Sequence, residues 1–199
     1  MVDDREWCRV FIDHNCIYRS PPGEHLLPSK NGCNAWQFYL PIALLNPKFA
    51  WKIGNLFWEK FTDEYLKNPF QICGCESGGS LLASVFQFAG WRRDQRVGAF
   101  MIKKAAKTYG LKNWIEGVAL HEVPVLLVDD VVGSGKTIKT QWKRLNDFGF
   151  KICGFWAVAG VKNAVADVEP LFNSAEFVRF LPEYRAKYGI DPEFRGTIV

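Results

Sequence analysis

At 199 residues and 48% hydrophobic composition, the chain can bury one sizeable core and is short for two ordinary domains. Its formal net charge of +4, with no clustered basic stripe, suits small anionic substrates and excludes a nucleic-acid binder. No signal peptide and no apolar run of transmembrane length is present, and the six cysteines lack zinc-ligand spacing. The expectation is therefore a cytoplasmic protein with reduced thiols and no membrane partner.

In chain order, residues 47–66 place Phe49, Ile53, Leu56, Phe57, Lys60, Phe61 and Tyr65 largely at helical spacing, an amphipathic helix whose apolar stripe is core or dimer contact. Strand patterns follow near 70–75, 97–102, 123–129 and 151–159, with helical patterns near 80–90 and 136–148. That alternation predicts an α/β fold in one domain, a central parallel sheet flanked by helices.

The segment from Val123 to Thr137 is the most informative. Residues 123–128 are nearly all aliphatic without alternation, as in a strand covered on both faces. Asp129 and Asp130 follow directly, so the strand surfaces at its carboxyl end, where open α/β sheets place ligands. Gly133 and Gly135 let backbone N–H groups approach a ligand, Ser134 and Thr137 add hydroxyl donors, and a helix begins near Gly135 to Thr137. Orphan N–H groups and the positive end of the helix dipole make this turn an anion cradle, each charge-assisted bond being worth roughly 1.5–3 kcal/mol. Carboxylates repel phosphate but accept hydrogen bonds from vicinal hydroxyls and orient Mg²⁺-bound water. The pattern implies a phosphate close to a diol, as in ribose 5-phosphate. Gly135-Lys136-Thr137 also imitates a nucleotide-binding P-loop, but that motif needs a glycine where this chain has Asp130. The plain alternative is a helix capped by an aspartate, for which one carboxylate would suffice.

Val125 to Thr137 resembles the phosphoribosyl-diphosphate signature of the type I phosphoribosyltransferases. The resemblance implies Mg²⁺-dependent transfer of ribose 5-phosphate from phosphoribosyl diphosphate to a nucleobase, with pyrophosphate leaving. Asp129 and Asp130 would hold the ribose hydroxyls, and Val131, Val132, Gly133, Ser134, Gly135, Lys136 and Thr137 the 5-phosphate. A second strand-to-turn passage, Gln71 to Ser80, is similar to the family's pyrophosphate loop, which gives Gly74, Glu76, Ser77, Gly78 and Gly79 a place beside the diphosphate and Mg²⁺.

The orotate branch is the nearest likeness. Its strand runs into a basic catalytic loop and then an acidic-glycine pair, and here Lys103-Lys104, Lys107, Tyr109-Gly110 and Glu116-Gly117 keep that spacing. Lys103 stands where the branch has arginine and Tyr109 where it has histidine. Lysine lacks the bidentate fork, and a phenol with a pKa near 10 carries no positive charge, so pyrophosphate should be held more loosely. Lys107 is the leading catalytic cation, with Lys104 and Lys103 beside it. Nearer the N-terminus, His25 to Trp36 is similar to the branch's hood motif, with Leu27 and Ser29 matching and Lys30 at a glycine position. Lys30 would serve an acidic base, or is an exposed loop lysine. After the last strand, Lys162 or Asn163 stands where orotate enzymes have an Asp-Arg pair.

The resemblance thus implies a hood over residues 1–45 with C-terminal elements, a core over residues 46–165, and a homodimer. Orotate is the expected acceptor. The alternatives are another base, or a catalytically silent phosphoribosyl-binding module.

Overall fold

The computed structural model describes residues 3–19, 36–105, 113–160, 170–173 and 176–177. The chain opens with helix α1 (Asp4–Asn15), followed by strands β1 (Ile17–Arg19) and β2 (Trp36–Phe38), helix α2 (Pro41–Leu44) and the long helix α3 (Pro47–Lys67). The rest of the chain largely alternates strand and helix: β3 (Gln71–Cys75), α4 (Gly78–Trp91), β4 (Ala99–Ile102), β5 (Ile115–Gly117), β6 (Val125–Val132), α5 (Lys136–Asp147), β7 (Ile152–Gly160) and β8 (Phe172–Asn173).

Local chemistry explains where the larger helices begin. Asp3 caps α1 by accepting from the Arg5 amide at 3.1 Å. Asn46 caps α3 with bonds from the Lys48 and Phe49 amides, both 3.1 Å, and Pro47 occupies the first helical position, where no N–H is needed. The sequence expectation for α3 places its apolar stripe in the core or a dimer contact. Phe49, Ile53, Phe57 and Trp58 are all fully buried within this chain, so that stripe is core.

The main sheet has six strands in the order β5-β4-β3-β6-β7-β8. All neighbouring pairs are parallel except β4 with β5, which run antiparallel, so the expected parallel sheet carries one antiparallel edge strand. β1 and β2 form a separate antiparallel pair near α1.

The central strand β6 shows why its sequence lacks alternation. Leu126 and Val128 join a cluster with Ile53, Phe57, Trp58, Phe86 and Trp156 on the side of α3 and α4. Val125 and Leu127 join a second cluster with Ile138, Leu145, Phe150 and Phe155 on the side of α5. With both faces buried, apolar residues are needed at every position. Phe57 stacks on Phe86 with centroids 4.0 Å apart, and Trp156 closes edge-on over both. Each such buried side chain stabilises by roughly 1.5–3 kcal/mol. This two-sided packing fixes the carboxyl ends of β3, β4 and β6 beside the start of α4.

Candidate functional site

β6 runs on past the two aspartates to Val132, three residues beyond the expected end of the strand's regular pattern. Asp129 is 7% exposed and its Oδ1 accepts from the Asp130 amide at 3.0 Å; Asp130 Oδ1 accepts from the Val131 amide at 2.9 Å. Burial, reinforced by the neighbouring Asp130 charge, holds the Asp129 carboxyl well above the usual carboxylate range. Two carboxyls side by side offer the acceptors that a vicinal diol requires.

The glycine turn after β3 meets this pair directly. A Cβ on Gly78 would lie 2.1 Å from Asp130 Cγ and 2.2 Å from its Oδ2, and a Cβ on Gly79 would lie 2.4 Å from the Val128 carbonyl oxygen. Gly74 is pressed equally hard, 2.2 Å from the Gly79 carbonyl oxygen. Only glycine fits at these three positions, and the result is that the first residues of α4 sit against the acidic strand end. A 14-residue helix thus points its orphan N–H groups at the end of β6. Ser80 Oγ donates to the Ser77 carbonyl at 2.6 Å, and the Glu76–Ser77 peptide bond is cis.

α5 supplies the second N-terminus. Its cap, Gly135, is left-handed at φ 72°, a conformation that favours glycine, and Gly133 has nothing within 4 Å of where its Cβ would be. Gly133, Ser134, Lys136 and Thr137 are exposed, as a binding turn requires. Val131 and Val132 depart from their expected place in that turn. Both belong to β6, paired with Ala159 and Gly160, and Val132 is buried with its side chain filling the space a Cβ on Gly160 would take. The Val131 amide is committed to Asp130, which leaves residues 133–137 as the candidate anion-binding turn.

The expectation that Lys103 stands with Lys104 among the cations facing the leaving group is narrowed: Lys103 is 3% exposed and its ammonium pairs with Glu116. Burial in the stem between β4 and β5 demands a partner for the charge, and Glu116 provides it. Glu76, whose expected place is beside the diphosphate, stands on the turn after β3, and its Oε2 accepts from the Lys104 amide at 2.8 Å. Lys104 itself is exposed, and its charge acts on Asp129 and Cys75, which places it near the acidic pair. Cys73 and Cys75 are buried; desolvation pushes both thiols up, which makes them packing groups and not nucleophiles. Ser29, Lys30, Lys107, Tyr109, Lys162 and Asn163 lie outside the described residues.

Gln141 and Arg144 of α5 escaped the sequence reading. The Gln141 amide and the Arg144 guanidinium both donate to the Lys103 carbonyl at 3.2 Å, and Arg144 stacks over Trp114 at 3.8 Å. No short motif announces partners about forty residues apart; the only signal was a glutamine and an arginine at i, i+3 on an otherwise lysine-rich helix. Among the described residues no group of three or more His, Cys, Asp or Glu could hold a metal ion, and no helix is long and apolar enough to cross a membrane. Asp129 and Asp130 are carboxyls that could orient Mg²⁺-bound water beside this site.

No family model matches the chain. It is 27% identical over 129 residues to an orotate phosphoribosyltransferase of Methanocaldococcus jannaschii, covering 64% of this chain and 66% of that relative, just under two thirds. An orotate phosphoribosyltransferase of Pyrococcus furiosus is 27% identical over 166 residues, 80% of this chain and 85% of that one. Among solved structures, a phosphoribosyltransferase from Corynebacterium diphtheriae superposes with a TM-score of 0.72 at 18% identity, covering 89% of this chain and 99% of that one. Orotate phosphoribosyltransferase of Mycobacterium tuberculosis, in complex with 5-phospho-alpha-D-ribosyl 1-diphosphate, gives 0.68 at 19% identity, covering 88% and 99%. The fold is that of the phosphoribosyltransferases, and in sequence the chain resembles the orotate branch.

Proposed function

We propose that this chain is a phosphoribosyltransferase that moves ribose 5-phosphate from phosphoribosyl diphosphate to orotate, forming orotidine 5'-phosphate and pyrophosphate. The observation that carries the reading is the contact of Gly78 with Asp130, which joins one helix N-terminus to an acidic pair at a strand end. The glycine-capped start of α5 follows five residues after that pair. One such N-terminus suits a diphosphate, the other a 5-phosphate, and the carboxyls between them suit the ribose hydroxyls. The named relatives support the same acceptor.

In this mechanism the bond from C1 of the ribose to the diphosphate breaks as a base nitrogen approaches from the opposite face. Asp129 and Asp130 hold the 2- and 3-hydroxyls while positive charge develops on the ring. The α5 turn fixes the 5-phosphate, which locks the sugar for in-line displacement. Lys104, and Lys107 after it, take up the charge that accumulates on the departing pyrophosphate, a type of stabilisation worth about 10²–10³ in rate. Mg²⁺ bound with the diphosphate would supply further neutralisation of that charge. Mg²⁺ dependence, homodimer formation and a cytoplasmic location belong to the same proposal.

The pairing of Lys103 with Glu116 removes one cation from the leaving-group side and favours a second reading, a silent phosphoribosyl-binding module. Pyrophosphate release from phosphoribosyl diphosphate with Mg²⁺, measured against a panel of pyrimidine and purine bases, separates the two. Release with orotate supports the enzyme. Tight donor binding without release for any base supports the module.

A further inference from the structure

Lys104 is held from three directions, none of them its own side chain. Its amide donates to Glu76, on the turn that follows β3, at 2.8 Å. The carbonyl of the preceding Lys103 accepts from both Gln141 and Arg144 at 3.2 Å, and the Lys104 carbonyl accepts from Arg144 at 3.5 Å. Arg144 is itself fixed, by a 3.0 Å bond to Gln141 Oε1 and by lying 3.8 Å over the Trp114 ring. Gln141 is 2% exposed, so its amide has no water to exchange these partners for.

The two stems leading to and from the basic segment are tied in the same place. The Lys103 amide donates to the Trp114 carbonyl at 2.9 Å, and the Lys103 ammonium pairs with Glu116. The guanidinium therefore touches both stems at once, one through the carbonyls of Lys103 and Lys104 and the other through Trp114. It belongs to α5, the helix whose N-terminus is the candidate 5-phosphate turn. Glu76 belongs to the candidate diphosphate turn. A planar, five-donor guanidinium can stack and donate together, which a lysine ammonium cannot.

We infer that Arg144, with Gln141 and Glu76, is a positioning residue that sets where the Lys104 ammonium stands relative to the leaving group. The inference rests on the phosphoribosyltransferase reading for its catalytic consequence. The clamp is built from protein groups alone. Arg144 lines a cavity together with Ser134 and Lys136 of the candidate turn, and its hold on Lys104 is exerted through the backbone carbonyls of residues 103 and 104. Glu76 likewise acts as an acceptor for an N–H, so a neutral carbonyl would do the same work.

Steady-state pyrophosphate release and hydrogen exchange at the Lys104 amide test this together. Arg144→Ala should lower kcat about tenfold with KM for phosphoribosyl diphosphate changed less than about threefold, the pattern of an interaction expressed in the transition state. Arg144→Lys should recover little, since it restores charge without fork or stacking. Glu76→Gln, which keeps a carbonyl acceptor, should recover most of the kcat lost in Glu76→Ala. In a Lys104→Ala background, Arg144→Ala should cost almost nothing more, because its route of action is gone. Additive losses in that double variant, or equal losses in Glu76→Gln and Glu76→Ala, would overturn the inference. The Lys104 amide should exchange faster in Arg144→Ala and Glu76→Ala while core amides of β6 keep their protection. If the wild-type chain releases no pyrophosphate, that exchange pattern still supports the clamp and only the enzymatic reading fails. An unprotected Lys104 amide in the wild type overturns the clamp itself.

Discussion

Replacing Gly78 by alanine is the sharpest single perturbation of the site. The three atoms nearest the new methyl would all belong to Asp130, at 2.1, 2.2 and 2.5 Å, well inside any real contact. Either α4 withdraws from β6, an overpacking strain of about 1–3 kcal/mol, or Asp130 swings aside and gives up its bond from the Val131 amide, which is worth about 1.5–3 kcal/mol as a charged hydrogen bond. The two routes together span a loss of about 1–3 kcal/mol. For a chain of this length that is a melting-temperature drop of roughly 2–12 °C. A displaced Asp130 also forfeits its proposed bond to the ribose, so donor affinity should fall about 10- to 150-fold, the equivalent of about 1.5–3 kcal/mol. The decisive assay is a double-mutant cycle in thermal melts. With Asp130→Ala the space opens, and adding Gly78→Ala should then cost under about 0.5 kcal/mol, a coupling of at least about 0.5 kcal/mol. Additive melting shifts would refute the claim that these two residues define one contact.

Asp129→Asn keeps an acceptor for the Asp130 amide and removes a buried charge. Because the folded-state pKa of Asp129 lies above the unfolded value, its ionisation weakens the fold as pH rises, and protonation removes that cost below the unfolded value near 3.8. The variant should therefore melt higher than the wild type at pH 8, with the gain shrinking to nothing as pH falls toward 4; a pH-independent difference would contradict the burial argument. Trp156 Nε1 is buried with no hydrogen-bond partner among the described residues, so Trp156→Phe should change stability by under about 1 kcal/mol in chemical denaturation, lost packing being offset by the removed unsatisfied donor. Lys107→Ala should lower kcat by about 10²-fold with little change in donor binding, measured by titration calorimetry, if it acts on the departing pyrophosphate. A large binding defect with unchanged kcat would contradict that role.

Periodicity and turn chemistry made the sheet from β3 onward legible. A non-alternating apolar strand could only be central, and the paired aspartates with Gly133 and Gly135 marked its end as a binding turn. The reading reached the contact of Gly74, Gly78 and Gly79 with the acidic strand end only as a resemblance, because the tightness that demands glycine is set by tertiary packing. α1 went unread although Trp7/Phe11 and Cys8/Ile12 repeat at i, i+4 behind the Asp3 cap. β5 is three residues long and antiparallel, too short for its pattern to signal a strand. Lys103 looked like its neighbours in a basic run. Its burial depends on Glu116 across the stem, and the fixing of its carbonyl depends on Gln141 and Arg144, partners that no local pattern foretells.

The most direct measurement is pyrophosphate release from phosphoribosyl diphosphate and orotate with Mg²⁺ by the wild-type chain and by Asp129→Asn combined with Asp130→Asn. The wild type should release pyrophosphate and form orotidine 5'-phosphate, while the double variant melts cooperatively yet loses donor binding. Undiminished donor binding in a folded double variant would contradict the placement of the ribose on these two carboxylates.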